Sequence, residues 1–171
     1  MTVLGEDVAQ EEPRNTKNPY GLLFDALDAL QQDEVFLYSG GQASYAVWGG
    51  LMSVRAMHLK AAGAVINGGI RDTKEIRALD FPTFGNQVWA LDQKSRGLIT
   101  DYRCLIEIDG ISIENGDLIF GDYDGVVIVP QNLAGEIFKE ALDKSSKENH
   151  LRNSLLEGMS AKGAFEKFGI F

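Results

Sequence analysis

The sequence predicts an α/β fold, and three observations carry that prediction. Strand-length apolar runs alternate with segments of helical spacing over residues 20–79. The run 64–70, Ala-Val-Ile-Asn-Gly-Gly-Ile, is continuous enough to be a buried strand. A block of short strands, punctuated by Asp109-Gly110 and Asn115-Gly116, follows over 102–129.

Residues 5–18 are acidic, polar and Pro-containing, and residues 1–17 are expected to form a mobile arm. Leu22, Leu23, Ala26, Leu27 and Leu30 recur at helical spacing, which predicts a helix over 20–30. Residues 34–39 read as a strand closed by Gly40-Gly41, and 48–62 as a helix with Gly63 as its stop. After the strand 64–70, residues 73–79 read as a short helix, 82–91 as extended and 92–97 as a polar loop. Residues 102–108 alternate as one strand ending in a hairpin dipeptide, and 111–113, 118–120 and 126–129 are further short strands. A helical tail is predicted over 132–157, stopped by Gly158, with Ser160 as N-cap of a last helix that ends at Gly169. The expected organisation is an arm over 1–17, an α/β domain over 18–130 and a helical tail over 131–171.

The bulk properties exclude some classes of function. With 171 residues the chain can bury one substantial core. Its formal net charge of −9 argues against nucleic-acid binding, which needs a basic surface. No apolar run reaches the roughly 18 residues of a membrane span. The N-terminal residues lack the basic and apolar regions of a secretion signal, and Cys104 is the sole cysteine, so a cytoplasmic protein is expected. Cys104 itself reads as a packed thiol in an alternating segment.

Arg71 and Asp72 follow the strand 64–70 at once, and ligands in α/β proteins sit past the carboxyl ends of strands. Arg71 can grip a carboxylate or keto-acid through two parallel hydrogen bonds. Asp72 can give one oxygen to Mg²⁺, which keeps several waters and needs few protein ligands. A competing role for Asp72 is helix capping, because Asp72-Thr-Lys-Glu75 is close to a capping box. Gly49-Gly50-Leu51-Met52 opens a helix, where free N–H groups and positive dipole favour an anion. The spacing is not that of a dinucleotide or nucleoside-triphosphate loop. Asp122-Tyr-Asp-Gly125 lacks the remaining ligands of a Ca²⁺ loop and reads as a turn. His58 and His150 are not spaced as a metal pair. A helix over 132–157 would span about 39 Å, against a radius of gyration of about 15–16 Å for a domain of this size. The helix must break, for instance at Ser145-Ser146, or project onto a neighbouring subunit, where Glu148 could complete a site.

Four motifs together, Ala46-Val-Trp-Gly-Gly-Leu-Met-Ser53, Gly68-Gly-Ile-Arg-Asp72, Leu79-Asp-Phe-Pro82 and Gly116-Asp-Leu-Ile-Phe-Gly-Asp-Tyr-Asp-Gly-Val-Val-Ile-Val-Pro130, resemble the RraA-like family over residues 18–171. That family holds class II 4-hydroxy-4-methyl-2-oxoglutarate aldolases, which also decarboxylate oxaloacetate, and regulators that inhibit a ribonuclease. The tail Glu148-Asn-His-Leu-Arg152 and Glu157-Gly-Met-Ser160 resembles the aldolase side. The resemblance implies a swivelling β/β/α domain whose C-terminal tail packs on a neighbouring subunit of a trimer or of stacked trimers forming a hexamer. It implies a lyase that cleaves or decarboxylates a pyruvyl-containing oxo-acid with Mg²⁺ or another divalent cation such as Mn²⁺. Arg71 would bind the pyruvyl part, Asp72 would ligate the metal, and the backbone at Gly50, Leu51 and Met52 would receive the carboxylate. Glu148 would reach a metal-bound water from the neighbouring subunit. The chain departs from the pattern at Gly50, where many aldolases carry an acid that helps order metal waters. It departs also at its start, where members usually have a further αβ segment and residues 1–5 read as the start of a strand from partway into the fold. The alternative function is a non-catalytic regulator that binds and inhibits a ribonuclease or other enzyme.

Overall fold

The computed structural model describes residues 1–8, 18–41 and 44–171. The chain divides into two compact units, residues 1–128 and 129–171.

The first unit is built on a six-stranded sheet. Its strands are β1 (Thr2–Asp7), β2 (Val35–Gly40), β3 (Ala46–Trp48), β4 (Gly63–Ile70), β5 (Thr83–Val88) and β6 (Gly97–Tyr102). The connected order is β3-β4-β2-β1-β6, with β5 on the other edge of β4. All neighbours run parallel except β1 and β6. One edge of β4 pairs first with β2, through Gly63–Ile66, and then with β3, through Gly69 and Ile70. The helices are α1 (Leu23–Asp28), α2 (Gly50–His58) and α3 (Thr73–Ala78). Two hairpins complete the unit, β7 (Ile106–Ile108) with β8 (Ile111–Ile113), and β9 (Leu118–Asp122) with β10 (Gly125–Val129).

Strand alternation sorts the core into two layers. Phe36 and Tyr38 of β2 join Leu23, Ala26 and Leu27 of α1, Ala56 of α2 and Ile76 of α3 in the larger cluster. Leu37, between them, points the other way and meets Ile106 and Ile113, with Ile119 and Ile128 packed alongside. Helices therefore cover one face of the sheet and hairpins the other, which is the expected β/β/α layering. Trp48 anchors the helical side, its ring 4.9 Å from that of Phe36 and 6.2 Å from that of Phe81.

Several local expectations are corrected. Residues 2–7, assigned to the arm, form β1 inside the sheet, because Val3 and Gly5 are buried between β2 and β6. The rest of the arm, 9–17, lies outside the described residues. Ala46–Trp48 is a strand rather than a helix start, and α2 ends at His58, with Lys60 at φ 61° reversing the chain. Gly63 opens β4 rather than closing a helix. The single strand expected over 102–108 is broken at Arg103, φ 59°, whose guanidinium turns to Glu34. Both Asp109 and Gly110 have positive φ, the geometry of a two-residue hairpin turn. Cys104 packs half-buried against the second cluster, and burial pushes its thiol up.

The second unit holds α4 (Ala134–Leu156) and α5 (Ala161–Phe168). α4 is unbroken over 23 residues, so Ser145-Ser146 does not interrupt it. Ser160 caps α5 by accepting the Gly163 N–H, and Gly169 closes it in the left-handed conformation. No helix among the described residues is long and apolar enough to cross a membrane.

Candidate functional site

The parallel strands β3 and β4 end side by side, and the chain leaves each through residues that carry polar groups. The Arg71 N–H donates to the Trp48 carbonyl at 2.9 Å, which locks the two exits together. Beyond Trp48 the chain turns into α2. Trp48 Nε1 donates to Ser53 Oγ at 2.8 Å, and that hydroxyl donates to the Gly49 carbonyl at 3.1 Å. This buried relay pins the first turn of α2 to the strand end.

Asp72 stands at the N-cap position of α3, but its side chain makes no capping bond there. Its backbone is left-handed, φ 56° and ψ 32°, which turns the carboxylate away from its own helix. Asp72 Oδ2 instead accepts the Gly50 backbone N–H at 3.1 Å. The capping-box expectation is therefore corrected: the carboxylate serves the orphan donor at the start of α2. A Cβ on Gly49 would lie 2.8 Å from Asp72 Oδ2, so glycine is what admits the carboxylate. Asp72 Oδ1 has no protein partner among the described residues.

Glu75, one turn into α3, places its carboxylate directly over the Cα of Gly50. A Cβ at position 50 would collide with Glu75 Oε2. The volume where a side chain at 50 would start is thus filled by an acid from another helix.

Arg71 is fixed by a residue that sequence reasoning missed. Its Nη2 pairs with Asp92 Oδ2 at 2.8 Å, and its Nε lies 3.8 Å from Asp72 Oδ2. Asp92 Oδ1 in turn accepts the Tyr20 hydroxyl at 3.1 Å and the Lys94 N–H at 2.6 Å. Burial first, then the Asp92 charge, push the Tyr20 hydroxyl above its ordinary pKa. Tyr20 therefore stays a hydrogen-bond donor to Asp92. Asp92 could have been found by extending the strand-end rule to β5, which runs parallel to β4 and leads to it. Tyr20 carried no such signal.

These groups line a cleft of about 220 Å³ with Trp48, Gly49, Leu51, Met52, Arg71, Asp72, Asp92 and Gln93 among its walls. Leu51 is 82% exposed at its rim. Gln93 is 2% exposed, and neither its Nε2 nor its Oε1 has a partner among the described residues. Leaving such amide atoms unpaired costs about 1–3 kcal/mol each. Sequence reasoning placed Gln93 in a polar loop and missed it. The cleft is lined by both apolar and polar side chains and is sized for a small carboxylic acid.

Of the residues singled out in the sequence, Gly50, Leu51, Met52, Arg71 and Asp72 come together here. Glu148 belongs to the C-terminal unit. It lies on α4, paired with Lys144 at 3.8 Å, and lines a shallow cavity with Leu151, Arg152, Leu155, Leu156 and Phe171. Asp122-Tyr-Asp-Gly125 is the turn it was read to be: Asp122 Oδ1 accepts the Asp124 N–H at 2.8 Å.

Three known proteins place this geometry in context. Protein DlpA of Legionella pneumophila is 26% identical over 134 residues, covering 78% of this chain and 22% of its own length. A protein of Halalkalibacterium halodurans named "Putative 4-hydroxy-4-methyl-2-oxoglutarate aldolase" is 28% identical, covering 81% of this chain, which spans 65% of that protein. The chain thus spans less than two thirds of either relative. The crystal structure of Streptomyces coelicolor RraAS2, described as an unusual member of the RNase ES inhibitor RraA protein family, shares the fold with a TM-score of 0.74 at 24% identity, over 88% of this chain and 73% of that one. The RraA-like family, described as Aldolase/RraA, matches residues 2–128, from β1 through the whole cleft to β10. The chain belongs to the RraA-like family.

Proposed function

We propose that this chain is a divalent-metal-dependent lyase that cleaves or decarboxylates a pyruvyl-containing oxo-acid. The observation that carries the reading is the placement of Arg71 and Asp72 beside the first turn of α2 in one small cleft. The relative named as an aldolase supports the same class.

Among the described residues no group of three or more His, Cys, Asp and Glu side chains could cage a metal. The cleft fits an ion that keeps most of its waters, Mg²⁺ or Mn²⁺, held through the unpartnered Oδ1 of Asp72. Glu75, over Gly50, would accept hydrogen bonds from such waters. It stands in for the acid that many aldolases carry at position 50. When bound, the ion supplies Lewis-acid stabilisation of a developing oxyanion.

The protein's own part is positioning and charge. Arg71, oriented by Asp92, binds the carboxylate and C2 oxygen of the substrate. Breaking the bond beyond C3 leaves an enolate, and the guanidinium faces the oxygen where that charge collects. The N-terminal turn of α2, at Gly50, Leu51 and Met52, adds positive dipole beside the carboxylate. Among the described residues no lysine lines the cleft, which counts against Schiff-base chemistry there.

Glu148 is proposed as a proton-transfer group donated by a neighbouring subunit of a closed trimer or hexamer. Exposed Ile137, Phe138, Leu142, Leu156, Phe165 and Phe171 in the C-terminal unit support an oligomer, since apolar side chains in such number call for a cover.

The test is turnover of oxaloacetate and of 4-hydroxy-4-methyl-2-oxoglutarate with and without Mg²⁺. Pyruvate release that EDTA abolishes is expected. Absence of release from either substrate at saturating Mg²⁺ would overturn the lyase reading and leave that of a regulator.

A further inference from the structure

We infer that Gln93 is a substrate-reading residue that selects hydroxylated oxo-acids. The inference rests on the oxo-acid reading above and adds to it the group recognised beyond the pyruvyl end.

The physical case begins with an unmet demand. Gln93 lines the cleft next in sequence to Asp92, the residue that holds Arg71. It is almost fully buried, yet both amide atoms lack partners among the described residues. Buried side-chain amides are normally satisfied, and one in a cleft wall with no partner among the described residues can take its partner from a ligand. The backbone carbonyl of Gln93 is engaged, accepting the N–H groups of Arg96 and Gly97, so the loop that carries the side chain is fixed. Turning the amide toward the cleft breaks no hydrogen bond to the described residues.

The chemistry of the partner follows from the two atoms. Nε2 donates and Oε1 accepts. A carboxylate can only accept, so it would satisfy Nε2 and repel Oε1. A ketone oxygen has the same deficit. A hydroxyl both accepts and donates, and it satisfies the pair. The charged groups already present, Arg71 with Asp72 and Asp92, suit the carboxylate and oxo group. Gln93 is the neutral donor-acceptor left over, and a hydroxyl on the chain beyond C2 is the complementary neutral group. That hydroxyl is also the one whose proton an aldol cleavage must remove, so the reading favours aldol substrates over simple 2-oxo-acids.

The experiment compares two ligands that differ only in that hydroxyl, 4-hydroxy-2-oxoglutarate and 2-oxoglutarate. Binding is measured by calorimetry on the full chain with metal chelated, so that neither turns over. The wild type is expected to prefer the hydroxylated acid by about tenfold, and Gln93→Met, close in shape, to lose that preference. Thermal unfolding of Gln93→Met and Gln93→Leu supplies a second readout. Removing unpartnered buried polar atoms should leave the midpoint of at least one variant equal to or above that of wild type. If both acids bind and the preference is absent in wild type or survives in Gln93→Met, the inference about Gln93 is overturned while the oxo-acid reading stands. If both variants melt well below wild type or fail to fold, Gln93 is structural and the inference is overturned. If wild type binds neither acid, the oxo-acid reading and the inference fall together.

Discussion

Asp72 accepts the Gly50 backbone N–H at 3.1 Å, so the residue that begins α3 caps the start of α2. Two helices that leave neighbouring strands are thereby tied at their N-termini by one carboxylate. The arrangement leaves Oδ1 of the same group for another partner. Structure and proposed chemistry divide the two oxygens between them.

Asp72→Asn tests that division. Asn tolerates the left-handed backbone and keeps an oxygen for the Gly50 N–H. Its thermal stability should stay within about 0.5 kcal/mol of wild type, while Mg²⁺-dependent pyruvate release is lost. Asp72→Ala should lose both, with a stability cost of about 1–2 kcal/mol from the missing cap and the strained backbone. Stability lost in the Asn variant with activity retained would mean that the carboxylate is structural only.

Gly50→Ala probes the acid that lies over it. The new Cβ meets the far end of a flexible side chain, the Glu75 carboxylate, so the helix should tolerate it with a stability change below about 1 kcal/mol. The carboxylate must move aside. Turnover should fall about tenfold or more, as a displaced polar group in a site does, and Glu75→Gln should reproduce the loss. Steady-state assays of both variants at saturating Mg²⁺ check this.

Much of the site could be read from the sequence because one strand and its exit are contiguous. The apolar run through Ile70, followed at once by Arg71 and Asp72, puts the strand end and its two charged groups in a single stretch. Asp92 was within reach only by extending the strand-end rule to β5, whose parallel pairing with β4 no local pattern encodes, and Tyr20 and Gln93 carried no signal of their own. β3 escaped notice for a different reason: three residues are too few to show a period. The break at Arg103 is a tertiary override, in which a contact with Glu34, distant in sequence, outweighs strand alternation. Ser145 and Ser146 stay helical because serine's propensity deficit is only about 0.5 kcal/mol per residue.

Gly40 sets the junction of β2 with β1. Its φ is +125°, and a Cβ there would collide with the Gly5 carbonyl oxygen. Backbone cannot move aside as a side-chain tip can. Gly40→Ala should cost about 3 kcal/mol or more through combined strain and clash. Chemical denaturation should show a lower midpoint with an unchanged slope. A loss under about 1 kcal/mol would mean that β1 is not held against β2 as described.

The Glu34–Arg103 pair predicts a pH dependence. Arg103 donates to both Glu34 carboxylate oxygens, at 2.6 and 2.9 Å. Burial alone would raise the Glu34 carboxyl, but the Arg103 bonds and the Gln31 N–H outweigh it and hold the group below its ordinary value of 4.5. A depressed folded-state value means that the stabilisation is fully present above the unfolded value and is lost as pH falls through the folded one. Glu34→Gln should therefore cost about 1–3 kcal/mol at neutral pH. The difference from wild type should shrink steadily as the pH drops below 4.5. Thermal melts of the two proteins across that range measure it, and a gap that stays constant would contradict the pairing.

Arg71 and Glu148 together test the shared site proposed above. Arg71 lies in the cleft of the first unit, and Glu148 lies on α4, exposed enough to serve a neighbour. As pure oligomers, Arg71→Ala and Glu148→Gln should each be nearly inactive. If Glu148 acts on the next subunit's cleft, mixing the two variants creates interfaces where an intact Arg71 meets an intact Glu148. Activity should then return in part, in proportion to the fraction of such interfaces. If both residues served the same subunit, every cleft in the mixture would still lack one group, and nothing would return. Subunit exchange must be verified by mass spectrometry of the intact oligomers, since unexchanged material would also stay inactive. Verified exchange without recovery would assign Glu148 to a structural role in the tail. A sedimentation profile of a pure monomer at micromolar protein would rule out the shared site before any mixing was attempted.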